Sequence, residues 1–231
     1  MISASRLSAA ANRLAPFDAA IFDMDGTLLD TESVFRDIVF DVCTELGFEM
    51  THDVHRSMVG SSHERTNQLL IEAYGVAFPY ALFDERCRVI MRERSHGGVP
   101  VKPGAREFIT ELRERGIPTA VATSSRNPHA EHHLKAAGLL DLFETVVTRD
   151  DVVHPKPHPE PYLTAARRLG VDPLHCLAVE DSHSGVRAAH AAGMQTVMVP
   201  DLVGPSDEIH ALGVFVMESL VELHLAAFQR D

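Results

Sequence analysis

From about residue 105 onward, short apolar runs alternate with helical patterns, and this alternation constrains the fold more than any other feature. Helical spacing covers 107–115, 128–137, 159–169, 184–192 and 219–228, with apolar runs at 117–122, 145–147, 176–179 and 194–199 between them. The earlier run Ala20-Ile21-Phe22 has the same apolar character. Strands alternating with helices imply a parallel sheet, because parallel neighbours need a crossover and the crossover helices cover both faces. The expected class is α/β.

The stretch 31–98 carries no strand signal. Val34, Phe35, Ile38, Val39, Val42, Cys43 and Leu46 form a stripe at helical spacing, and 64–74 and 82–94 read as further helices. Gly97, Gly98 and Pro100 end the pattern. A helical insert is therefore expected to leave after the first strand, dividing the chain into a core of 17–30 plus 99–231 and an insert of 31–98. Residues 1–16 are Ala/Ser-rich, with Arg6 and Arg13 and no acid. That composition faintly resembles a transit peptide, and a loose or partly helical tail is the favoured reading.

In open parallel sheets, ligands bind beyond the carboxyl ends of the strands. Four polar groups fall there: Asp23 with Asp25; Thr123 with Ser124 and Ser125; Lys156; and Glu180 with Asp181. Asp23 and Asp25 share one strand face, where like charges call for a cation or a shared proton. Taken singly, each group has an ordinary use. Thr123 and the serines suit a helix cap, Lys156 a loop, and Glu180-Asp181 a helix start. Taken together they supply a nucleophile, an acid/base, a cation and hydroxyl donors, the parts needed for phosphoryl transfer.

Composition narrows the partners. The net charge of −12 argues against nucleic acid, so an anionic substrate needs the local charge of Lys156. Three cysteines, odd in number and outside any CxxC pattern, argue against disulfides or structural zinc and fit a reducing cytoplasm. No apolar run is long enough for a membrane helix. His129, His132 and His133 have spacing that suits a transition metal, with a solvated helix face the favoured reading.

The segments FDMDGT, VATSSRN, HPKPHPE and CLAVEDSHSG, in that order, resemble the haloacid dehalogenase superfamily over about 17–231. Within it the pattern is similar to sugar-phosphate phosphatases, pseudouridine-5′-phosphatase-like enzymes and β-phosphoglucomutase. The resemblance implies a Rossmann-like core with 31–98 as a small cap, Mg2+ as cofactor, and an aspartyl-phosphate intermediate. It implies Asp23 as nucleophile and metal ligand, and Asp25 as acid/base with its carbonyl on the metal. Thr123, Ser124 and Arg126 would bind phosphate, with Lys156 serving both phosphate and nucleophile. Asp181 would be a metal ligand, and Glu180 a direct or water-mediated one. The turn Gly60-Ser61-Ser62-His63-Glu64 resembles a specificity loop, so Ser61, His63 or Arg65 is expected to meet substrate.

The implied function is a Mg2+-dependent phosphatase for a small phosphorylated metabolite, a sugar phosphate or nucleotide-like phosphate. It is expected to be a monomer or weak homodimer without nucleic-acid or membrane partners. Thr27 and Phe35 lean toward water as phosphoryl acceptor, where β-phosphoglucomutase-like patterns often lack the hydroxyl and carry a histidine. A phosphomutase and a catalytically silent metabolite-binding module are the alternatives.

Overall fold

The structure, a computed structural model, describes residues 14–59, 61, 63–96 and 98–228. Most of the expected tail, and Gly60 and Ser62 of the insert turn, lie outside the described residues. Asp30–Val99 form one compact unit, and the segments before and after it form the other.

The larger unit is an α/β layer structure. Its parallel sheet contains β1 (Ala19–Phe22), β2 (Thr119–Ala122), β3 (Thr145–Val147), β4 (Cys176–Glu180), β5 (Gln195–Met198) and β6 (Phe215–Val216). Their spatial order is β3-β2-β1-β4-β5-β6, and every pairing is parallel. β1, β2 and β4 are buried throughout, which is why they read as apolar runs rather than alternating patterns. The two faces of β1 have different partners. Ile21 packs with Tyr162, Ala165, Ala188 and Ala189, from α7 (Glu160–Leu169) and α8 (His183–Ala191). Phe22, on the opposite face, meets Phe108 of α5 (Ala105–Glu114) edge-on at 5.7 Å. Phe108 in turn meets Phe228 of α10 (Leu220–Phe228) at 5.9 Å. Fully buried apolar side chains such as Ile21, Phe22 and Phe108 each contribute about 1.5–3 kcal/mol.

The strand order reverses at β1. The chain builds β2 and β3 on one side of it, then places β4 on the other. A crevice forms at such a switch point, and the carboxyl ends of β1, β2 and β4 flank it. Leu29 and Val101 pair antiparallel, so the chain leaves and re-enters this unit at one place. The structure adds elements that the sequence pattern did not suggest. These are β6, only two residues long, and the five-residue α9 (Asp207–Ala211). β2 begins two residues later than expected because Ile117 N bonds Leu112 O, still finishing α5.

The smaller unit is helical: α1 (Thr31–Glu45), α2 (His52–Met58), α3 (His63–Tyr74) and α4 (Tyr80–His96). α2 was not anticipated, since HDVHRSM has few apolar positions. Thr51 starts it by accepting a hydrogen bond from Val54 N at 3.3 Å. Ile38, Val42, Leu70, Phe78, Phe83 and Cys87 give this unit its own core. Cys43, Cys87 and Cys176 are buried free thiols, and burial raises the pKa of each.

His55, also buried here, has its pKa lowered by burial and by the charges of Arg36 and His52. The unfolded chain therefore binds the proton more readily below its ordinary pKa of 6.5. His55 contributes full stability above that pH and loses it as pH falls toward the folded value. Thermal melts from pH 7 to pH 5 are expected to drop less in His55→Gln than in the parent; parallel curves would exclude this role.

Candidate active site

Asp23 extends β1 by one residue, its N–H donating to Val179 O at 2.9 Å. Its side chain is buried at the strand end. The ammonium of Lys156, itself only 4% exposed, donates to Asp23 Oδ1 and Glu180 Oε1, both at 2.5 Å. Three distant segments thus meet at one ion-paired group. Asp181 follows β4, and its Oδ1 accepts from Thr27 Oγ1 at 3.2 Å. Carboxylate oxygens of Asp23, Glu180 and Asp181 lie within 4.8 Å of one another.

Three carboxylates here face one ammonium. Burial raises the Asp23 pKa, with help from the charges of Glu180 and Asp25 and against that of Lys156. Burial, then Asp23 and Glu180, raise that of Asp181. Burial pulls Lys156 the other way, but Asp23 and Glu180 outweigh it and hold it charged. The excess negative charge and the all-oxygen donor set fit a hard divalent cation such as Mg2+.

Glu180 is fully buried and well satisfied. Oε1 accepts from Lys156 and from Tyr162 OH at 2.8 Å, while Oε2 accepts from Asp181 N, Ser182 N and Ser182 Oγ. Such a carboxylate is a rigid holder for Lys156. Two glycines make room for the group. Gly26 lies in the left-handed region (φ 82°), and a Cβ there would stand 2.4 Å from Asp181 Oδ2. A Cβ at Gly185 would fall 1.6 Å from Glu180 Oε1. Gly185→Ala is therefore expected to destabilise the chain by about 1–3 kcal/mol in a denaturant melt, by overpacking. An unchanged midpoint would show that Glu180 is free to move.

β2 delivers the hydroxyls. Thr123 is buried, and its N–H donates to Val147 O. Its Oγ1 accepts from Ser125 N at 3.0 Å and lies 3.5 Å from Asp25 Oδ2. Ser125 Oγ donates to Asp25 Oδ2 at 2.7 Å. Ser124 is exposed. Arg126 is exposed and paired with Asp150, so the structure does not bring it to the carboxylates. Tyr162, Gly26 and Gly185 were not singled out as site residues, and Ser125 was named only as part of the hydroxyl group after β2. The clearest available sign was position, since Ser125 follows a strand and Gly26 lies between Asp25 and Thr27; Tyr162 reads as helix core.

The helical unit has a cavity of about 410 Å³. Ser61 and His63 line it with Phe35, Tyr80, Asp84 and Arg88. His63 Nδ1 is 3.2 Å from Tyr80 OH and 3.5 Å from Asp84 Oδ1. Arg65 turns instead toward Glu72 and Gln68, at 3.3 and 3.4 Å.

Fold and site define an α/β protein with acids, an ammonium and hydroxyls gathered at one sheet edge. The profile described as haloacid dehalogenase-like hydrolase matches residues 20–199. Hexitol phosphatase B of Escherichia coli (strain K12) is 32% identical over 210 residues, covering 89% of this chain and 93% of that protein. Fructose-1-phosphate phosphatase YqaB of the same strain is 36% identical over 180 residues, covering 78% and 94%. A haloacid dehalogenase family hydrolase of Deinococcus radiodurans R1, solved with bound phosphate and sodium, superposes with a TM-score of 0.82 at 29% identity, covering 92% and 96%. The chain belongs to the haloacid dehalogenase-like hydrolase family, and its Rossmann-like core is that family's fold. It is accordingly an enzyme of hydrolase type, and both curated relatives named here are phosphatases.

Proposed function

We propose that this chain is a Mg2+-dependent phosphatase for a small phosphorylated metabolite, with a sugar phosphate the favoured class. The observation that carries the reading is the junction of Lys156 with Asp23 and Glu180, beside Asp181, where the sheet order reverses. The phosphatases hexitol phosphatase B and YqaB support the sugar-phosphate class.

On this reading, Asp23, Asp181 and the Asp25 carbonyl would hold Mg2+, which when bound would supply positive charge against phosphate oxygens. Lys156 holds one oxygen of Asp23, leaving the other to attack phosphorus. As that O–P bond forms, the bond from phosphorus to the substrate's ester oxygen breaks, and Asp25 gives the leaving oxygen its proton. Asp25 then takes a proton from water, whose oxygen attacks phosphorus and releases phosphate from Asp23. Such acid/base help is worth about 10²–10⁴-fold. Ser125 orients Asp25 through their 2.7 Å hydrogen bond, and Thr123 donates to the transferring group. Glu180 fixes Lys156. The helical unit acts as the cap, and Ser61 and His63 in its cavity select the substrate.

The test is a panel of phosphorylated sugars, polyols and nucleoside monophosphates, each with and without Mg2+. Free phosphate that appears only with Mg2+ is the expected result. Isomerised sugar phosphate without free phosphate would make the chain a mutase, and binding with neither product would make it a silent module.

A further inference from the structure

We propose that His154, His158 and Glu160 form a binding site for one transition-metal ion of the zinc class, separate from the carboxylate centre. One donor atom from each residue lies within 4.8 Å of the other two. Among the described residues, this is the one such group that contains imidazoles.

The chain builds this site from a stiff segment. In His154-Pro155-Lys156-Pro157-His158-Pro159-Glu160, alternate residues are prolines, which limits the backbone freedom lost on ordering. His158 N donates to Pro155 O at 2.9 Å, closing a turn that brings the two imidazoles to 4.6 Å, 35° apart. Glu160 is the fixed member. Its Oε1 accepts from Val153 N at 2.9 Å, and its Oε2 from His154 N at 3.0 Å. These bonds hold its pKa at about 2, so it is anionic at neutral pH. His154 Nδ1 stands 2.8 Å and His158 Nδ1 4.0 Å from Glu160 Oε2.

Ligands of a tetrahedral ion, bound at about 2.0–2.1 Å, stand roughly 3.4 Å apart. His158 Nδ1, 4.0 Å from Glu160 Oε2, must move closer and give up the hydrogen bond it accepts from Glu160 N at 3.2 Å, while His154 Nδ1, at 2.8 Å, must open slightly; both imidazoles are at least half exposed. Lys156 lies between the two histidines in sequence, yet its ammonium is buried against Asp23 and Glu180, where its charge is offset. Two imidazole nitrogens and one carboxylate favour Zn2+, Co2+ or Ni2+ over Mg2+, which takes oxygen ligands. The two sites therefore sort metals by donor chemistry. An ion here ties together both sides of the loop that presents Lys156. The His129–His133 and His132–His133 rings stand farther apart, at 6.4 and 6.1 Å, and make the natural control.

The experiment titrates the full chain with Zn2+ by calorimetry, and with Co2+ by visible absorption, in excess Mg2+. One equivalent should bind, with slowed amide exchange over 153–158. His154→Ala/His158→Ala should weaken binding by at least about tenfold and remove the exchange effect. His129→Ala/His132→Ala should leave both unchanged. Absence of binding to the parent chain, or equal affinity in His154→Ala/His158→Ala, would overturn the assignment.

Discussion

Replacement of Asp23 by Asn is expected to lower Mg2+-dependent phosphate release by at least about 10⁴-fold. The two side chains have nearly the same size, so packing at the end of β1 is kept. What changes is the chemistry. An amide oxygen is a poor nucleophile toward phosphorus, and it gives up the anionic charge that a divalent ion would share. Lys156 still has Glu180 as an anionic partner at 2.5 Å, so the variant should fold with an unchanged circular dichroism spectrum. Retention of parental turnover in a folded Asp23→Asn protein would remove Asp23 from the nucleophile's place.

The second large effect is expected at Lys156. Its ammonium lies between two buried carboxylates. Lys156→Met fills similar space but leaves Asp23 and Glu180 without their cation. Breaking such a buried pair costs about 3–5 kcal/mol, because the remaining charges stay desolvated. Phosphate release should also fall by about 10²–10³-fold, the effect of losing one preorganised charge at a reacting group. Added Mg2+ should restore part of the stability but not the activity, since a bound cation offsets the acids without taking the place of Lys156 on the Asp23 oxygen that does not attack. Denaturant melts with and without Mg2+ read the first effect and steady-state rates the second. A Lys156→Met chain as stable as the parent in metal-free buffer would show that the ammonium is not a structural counterion.

How much of this was legible in the sequence depends on the range of the interactions. β1, β2 and β4 are short and buried throughout, so apart from Thr119 and Glu180 at two strand ends their residues are apolar and could be read locally. Asp23, Thr123 and Asp181 could be picked out because they stand at the ends of apolar runs, and Lys156 because HPKPHPE resembles a family motif. α2 escaped because only Val54 and Met58 in HDVHRSM are apolar, and its buried His55 reads as polar. β6 is too short to show a period. The roles of Tyr162 and Gly185 were hidden for a different reason. Tyr162 reaches Glu180 from a helix 18 residues earlier in the chain, and Gly185 matters only because the Glu180 carboxylate occupies the space of its missing Cβ. Neither fact has a local signature. Arg126, which the family resemblance linked to phosphate, has its guanidinium paired with Asp150, a contact with no local sign in the sequence.

The proposed phosphatase activity requires phosphoryl transfer to one carboxylate at the end of β1. The most direct measurement mixes the chain with a hydrolysed sugar phosphate and Mg2+, quenches in acid within the first turnover, and maps phosphate by peptide mass. Phosphate on the peptide that contains Asp23, absent from Asp23→Asn, is the predicted result. Product formed at full rate with no phosphate on that peptide at any quench time, or phosphate carried by a different residue, would contradict it.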